Sequence, residues 1–231
     1  MRWLWLLPIA LLALTSLAIA PPAPASAAKP GAPADVAGAP PPVPPPSVVE
    51  TARLLTGEVL LASRPVAAAR ALAEETGEGI VNAPPERVFA AVADFVHYRE
   101  WVPFVQRSDA TPQADGSVVS FQSLALPFPL GRRYYKILAR SGVSGEGAGR
   151  VWRAWWHYLP GTGNVADHHG WWVLVPYGEG RTLGTCLLYT DPGGGMPAWG
   201  VHRGTAETMP YVFSGLRQQV RRSRYDRPDV H

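Results

Sequence analysis

Between Ser117 and Thr190 short apolar and aromatic runs alternate with Gly, Pro and Asp, and this rhythm limits the fold more than any other feature. The runs are Ser117–Ala125, Arg133–Ala139, Val151–Leu159, Gly170–Val175 and Thr182–Thr190. Short strands separated by turn signals pair as antiparallel neighbours through hairpins. Asp191-Pro192-Gly193-Gly194 ends the last run, and Pro197 opens a long C-terminal helix that Pro210 should kink or interrupt. In its second half Val212, Phe213, Leu216 and Val220 make one apolar stripe. A strongly curved antiparallel sheet closing on one amphipathic helix satisfies all of these signals.

Upstream, Glu58–Ser63 and Gly79–Asn82 read as short strands with the alanine-rich segment Val66–Glu75 between them. Pro84-Pro85-Glu86 starts a helix, where proline costs nothing and the acid suits the positive end of the dipole. Val88, Phe89 and Val92 share one face of it. A second short helix carries Phe95, Tyr98 and Trp101 and ends before Pro103.

The first fifth of the chain cannot join this core. Residues 3–20 are uncharged and follow Arg2, and Ala25-Ser26-Ala27 offers a small-x-small cleavage site before Ala28. That pattern describes a secretory signal, while the length also suits a membrane anchor, so residues 1–27 carry both readings. The Pro/Ala-rich stretch 28–47 is an extended linker. The folded domain is expected over 48–225, with no internal repeat. Export places the domain in the periplasm or outside the cell, or on the membrane if residues 3–20 are retained.

A formal charge of +3 gives no reason to invoke nucleic acid. Arg217, Arg221, Arg222 and Arg224 form the one basic concentration, read either as a solvated helix end or as a contact with anionic membrane. The single cysteine, Cys186, sits in an apolar strand and is expected to be buried and inert. Asp167-His168-His169 is a poor metal site, because neighbours in a strand point to opposite faces. No nucleophile elbow, P-loop or dinucleotide fingerprint occurs, and nothing calls for a catalytic residue, metal or cofactor.

Three stretches carry a family resemblance. VNAPPERVFAAVADFVHYREWVPFV (81–105), PFPLGRRYY (127–135) and DPGGGMPAWGVHRGTAETMPYVFSGLRQQV (191–220) resemble, in order and spacing, the START family and its wider helix-grip superfamily. That superfamily includes polyketide cyclase-like and ubiquinone-binding proteins. The resemblance places Arg133 on the family's arginine, whereas Tyr134 stands where an aspartate is usual. It implies an α+β helix-grip fold, with a curved antiparallel sheet wrapped around a long C-terminal helix and two short helices near the start. It also implies a cavity between sheet and helix for one lipid, sterol or quinone-like molecule.

The residues themselves leave a solid core and a ligand cavity both open, since packing is the ordinary use of aromatic rings. Trp152, Ala154, Trp156 and Tyr158 form the apolar set of one strand and Val151, Arg153, Trp155 and His157 the mixed set. Candidate ligand contacts are Trp101, Arg133, Tyr135, Trp152, Trp156 and Trp172, with Met209, Phe213 and Leu216 on the closing helix. Arg133 is either a headgroup contact or one half of an ion pair. Three functions compete. The first is carriage of a hydrophobic small molecule. The second is cyclase-like catalysis in the same cavity, for which only Arg133, Tyr134, His157 or His169 could supply an acid or base. The third is an interaction module using the basic C-terminus or the proline-rich arm.

Overall fold

The computed structural model describes residues 40–66, 72–127, 131–193 and 198–226, without the side chains of 198–200 and 202–203. The expected signal or anchor (1–27), the expected linker up to 39, part of the Pro-aromatic-Pro motif (128–130) and residues 194–197, with Gly194 and Pro197, lie outside the described residues. So does 67–71 of the alanine-rich segment.

The chain opens with α1 (Val48–Leu55), then β1 (Leu60–Pro65), β2 (Ala73–Val81) and α2 (Pro85–Ala93). A 3-10 turn, Phe95–Glu100, leads into β3 (Val105–Pro112), β4 (Val118–Ala125) and β5 (Arg132–Ser144). Then come β6 (Val151–Tyr158), β7 (Asp167–Pro176), β8 (Thr182–Asp191) and α3 (Ala198–Gln219). The strands form one curved antiparallel sheet in the order β1-β2-β8-β7-β6-β5-β4-β3. Five strands from β4 to β8 pair as consecutive hairpins, the arrangement their turn signals predict.

Three elements depart from the sequence expectation. Helix α1 lies where no helix is expected, and it carries a capping box. Glu50 N–H donates to Ser47 Oγ (3.3 Å), and Ser47 N–H donates back to the Glu50 carboxylate (2.8 Å). Strand β3 reads VQRSDATP, too polar to stand out; an edge strand is covered on one flank only, and charge and a terminal proline suit it. The expected strand Gly79–Asn82 is the end of the longer β2, which pairs with β1 and β8. Proline 210 does not end α3 either. It is exposed, so the helix carbonyl it leaves without a donor lies where water can serve it.

Face parity, open in the sequence, is resolved by burial. Along β6, Trp152, Ala154, Trp156 and Tyr158 are buried while the alternate set is half-buried. The half-buried rings shield one another across the convex face, with Trp155 opposite Trp171 and Trp171 opposite Leu187. Helix α1 covers another part of that face, Leu54 packing with Ile80 and Leu183.

On the other face α3 lies close over β2 because β2 presents glycines there. A Cβ added at Gly77 would lie 2.3 Å from Met209 Cγ, and one at Gly79 would lie 2.8 Å from the Phe213 ring. The basic cluster near the C-terminus is divided rather than gathered. Arg217 is half-buried and donates to Ile80 O (2.9 Å) and Gly57 O (3.0 Å), so it is not part of a solvated helix end. Arg222 and Arg224 both reach Glu100.

Candidate functional site: a cavity beneath the last helix

Between α3 and the concave face of the sheet lies a cavity of about 610 Å³. This volume settles the choice between a solid core and a hollow one, and it falls inside the range of roughly 300–1,000 Å³ usual for small-molecule pockets.

Its walls are predominantly apolar and come from every layer of the fold. Phe95, Tyr98 and Trp101 form a ladder of rings at 4.8 and 5.0 Å, anchored where Tyr98 OH donates to Val92 O (2.6 Å). The strands contribute Leu124, Tyr135, Ile137, Trp156, Trp172 and Leu188. The helix contributes Val201, Gly204, Thr205, Thr208 and Val212, one stripe at helical spacing, with Met209 beside it. Phe104 (39% exposed) and Tyr211 (67% exposed) are wall residues that reach the surface, so the cavity opens there. Phe104 holds a left-handed backbone, φ 66°, unusual for an aromatic residue, and its carbonyl accepts from Ala125 N–H (2.9 Å).

A polar belt crosses the sheet face of this wall. Tyr135 OH donates to Gln122 Oε1 (3.3 Å), and the Tyr135 ring lies 4.5 Å from that of His168. The Trp156 indole N–H donates to His168 Nε2 (3.1 Å), and His168 Nδ1 meets Thr190 Oγ1 (2.9 Å). Burial pushes His168 down to about 3, so its ring is neutral at ordinary pH; burial likewise pushes the Tyr135 hydroxyl and the Cys186 thiol up. A Cβ at Gly170, opposite Trp156 in the register, would lie 2.5 Å from its indole, so only glycine leaves room for the ring.

Residues 81–210, more than half of the chain, match the model of a family described as polyketide cyclase / dehydrase and lipid transport. The chain belongs to that family. No curated protein matches its sequence. Among solved structures it is similar to the STAR-related lipid transfer protein of Xanthomonas axonopodis, fragment 25–204, with TM-score 0.61 and 22% identity over 71% of this chain and 94% of that one. It is also similar to human STARD10, with TM-score 0.57 and 16% identity over 79% and 82%. Human StAR-related lipid transfer protein 5 gives TM-score 0.57 and 18% identity over 75% and 90%. What these structures share with the chain is the helix-grip fold.

Of the nine ligand contacts expected from the sequence of this family member, six stand on the cavity wall: Trp101, Arg133, Tyr135, Trp156, Trp172 and Met209. The other three do not. Phe213 and Leu216 are fully buried in the core, Phe213 against Trp172 with ring centres 5.2 Å apart. Trp152 shares the face of Trp156 but lies four residues, about 13 Å, along the strand. It is buried beyond the edge of the cavity. Arg133 is half-buried, donates to Arg132 O (3.2 Å) and forms no ion pair among the described residues. His168 and His169 stand on opposite sides. His169 stacks on Tyr189 (4.6 Å) and meets Asp167 (3.2 Å) and Glu74 (3.6 Å) away from the cavity. Sequence reasoning passed over Gln122, His168, Thr190 and Gly204. The signal for His168 was its parity with Gly170 and Trp172.

A neutral buried histidine predicts an acid-sensitive fold. The unfolded chain takes up a proton near pH 6.5 that folded His168 refuses until about pH 3. Its contribution is therefore full above pH 6.5 and shrinks as pH falls from there toward 3. Thermal unfolding of wild type and His168→Gln between neutral pH and pH 4 should reveal a smaller acid loss in the variant. Parallel curves would show that His168 is not held neutral.

Proposed function

We propose that this domain carries one hydrophobic small molecule, a lipid, sterol or quinone-like compound, outside the cytoplasmic membrane. The observation that carries the reading is the apolar cavity of about 610 Å³ roofed by α3. Desolvation of the guest's hydrocarbon supplies the affinity, at about 0.8 kcal/mol per buried methylene. The rim at Phe104 and Tyr211 is the route by which a guest enters. Family membership supports the reading, and the uncharged residues 3–20 support export, by a cleaved signal or a retained anchor.

Cyclisation in the same cavity would need an acid or base facing the guest. Of Arg133, Tyr134, His157 and His169, only Arg133 stands on the wall; His168, which also stands there, has both ring nitrogens engaged, by Trp156 and Thr190, and this favours carriage over catalysis.

Native mass spectrometry of the full chain recovered from an exporting host tests this. The expected result is a co-purified lipid or a saturable one-to-one complex, with a protein mass reporting whether the mature chain begins at Ala28. A protein that holds nothing across a broad panel of lipids, sterols and quinones would refute the carrier.

A further inference from the structure

The polar belt on the cavity wall has a direction, and the direction restricts which guest fits. An indole nitrogen can only donate. Trp156 Nε1–H donates to His168 Nε2, so that nitrogen must carry a lone pair. A neutral imidazole has one donor and one acceptor, so the proton sits on Nδ1. The 2.9 Å contact at Nδ1 is therefore a donation to Thr190 Oγ1. Thr190 thus receives a hydrogen bond through its oxygen, and its own hydrogen is directed elsewhere. Among the described residues no protein acceptor takes it, and Thr190 lines the cavity. The second open group of the belt has the same sense. With Gln122 Oε1 accepting from Tyr135, the amide Nε2 is left as a donor on the cavity wall.

We propose that the Trp156–His168–Thr190 relay makes the cavity selective for a guest bearing a carbonyl-type oxygen (ketone, ester or quinone) over an alcohol of the same shape. The inference rests on the carrier reading above and sharpens it. A carbonyl oxygen accepts from Thr190 and brings no hydrogen that needs a partner. An alcohol can accept the same bond but finds no second acceptor for its own O–H beside Thr190 in the belt: the acceptors this wall does hold, the Thr205 and Thr208 hydroxyl oxygens and the exposed Glu207 carboxylate, stand on α3 and not on the sheet. A buried polar group without a partner costs more than one hydrogen bond gains. Thr190 is the contact; His168 and Trp156 are positioning residues that fix which way its hydroxyl points.

Fluorenone, fluorenol and fluorene share one tricyclic skeleton and differ only in this oxygen, and equilibrium dialysis against the full chain compares them. In wild type the ketone should bind about tenfold tighter than the alcohol, the ratio expected when one buried hydroxyl goes unsatisfied. Thr190→Val, equal in shape but without the hydroxyl, should erase that ratio and keep fluorene binding. Trp156→Phe frees His168 Nε2 to take the proton, so Nδ1 can accept from Thr190. The threonine oxygen then faces the guest as an acceptor, and the ketone's advantage should vanish or invert. A purely structural loss at Trp156 would weaken all three probes together and leave the ratio intact. A ratio near one in wild type, or one that survives Thr190→Val, overturns the relay while fluorene binding upholds the carrier. Failure of all three probes to bind overturns the relay as a selector, while the lipid, sterol and quinone panel decides the carrier separately. Should Trp156→Phe not fold, Thr190→Val decides alone.

Discussion

Gly204→Trp is expected to block guest binding while leaving the protein at least as stable as wild type. Gly204 lies within the cavity-facing stripe of α3, and a Cβ built there meets nothing within 4 Å. An indole placed there projects into the cavity and displaces part of the guest. Losing about four buried methylenes costs roughly 3 kcal/mol, an affinity loss of about 100-fold. Meanwhile glycine inside a helix is about 0.5–1 kcal/mol worse than a residue with a side chain, so the exchange also removes a helix defect. Native mass spectrometry should find the variant without lipid, and denaturant unfolding should find its midpoint unchanged or raised. A variant that still carries lipid with wild-type affinity would place the binding site somewhere other than beneath α3.

Phe213→Ala should do the reverse. Phe213 is fully buried in a slot bounded by Trp172 and by the two glycines of β2. Truncating an enclosed phenylalanine costs about 3–5 kcal/mol, the transfer term plus the hole left behind. The slot cannot collapse to compensate, because the β2 backbone and the helix already stand at their closest approach. Urea unfolding should register that loss as a lower midpoint with little change in slope. Guest affinity per folded molecule should stay near wild type, since Phe213 is not on the cavity wall. The two variants together separate two tasks of one helix: roofing the cavity through Val201–Val212 and gripping β2 through Phe213. If Phe213→Ala weakened binding as much as stability, the roof and the grip would be one unit.

The contrast between these residues marks where sequence reasoning stops. Phe213 and Gly204 lie on the same helix, and periodicity placed Phe213 among the guest's contacts while passing over Gly204. Periodicity reports which side of a helix turns inward, but not whether the inward side meets sheet or space. The same limit applies to Trp152 and Trp156, which share one face of β6 and differ only in distance along it. Strand β3 and the capped helix α1 were missed for other reasons. Strand β3 is a polar edge, and α1 is marked by its Ser47–Glu50 cap, with Leu54 held by Ile80 and Leu183 from later in the chain.

Local chemistry alone determined a good deal. Turn residues spaced the five strands that became β4 to β8, and alternation put His168 and His169 on opposite sides. Apolar surroundings marked Cys186 as buried, and three motifs in order pointed to the helix-grip fold. Each of these depends on backbone geometry or on immediate neighbours, which a linear string records. The tertiary structure decided which sheet face is concave, that a space remains beneath α3, and that Trp156 fixes the proton on His168 and so the sense of Thr190. Those outcomes depend on shape and on partners brought from separate strands, and volume left unfilled has no letter in the sequence.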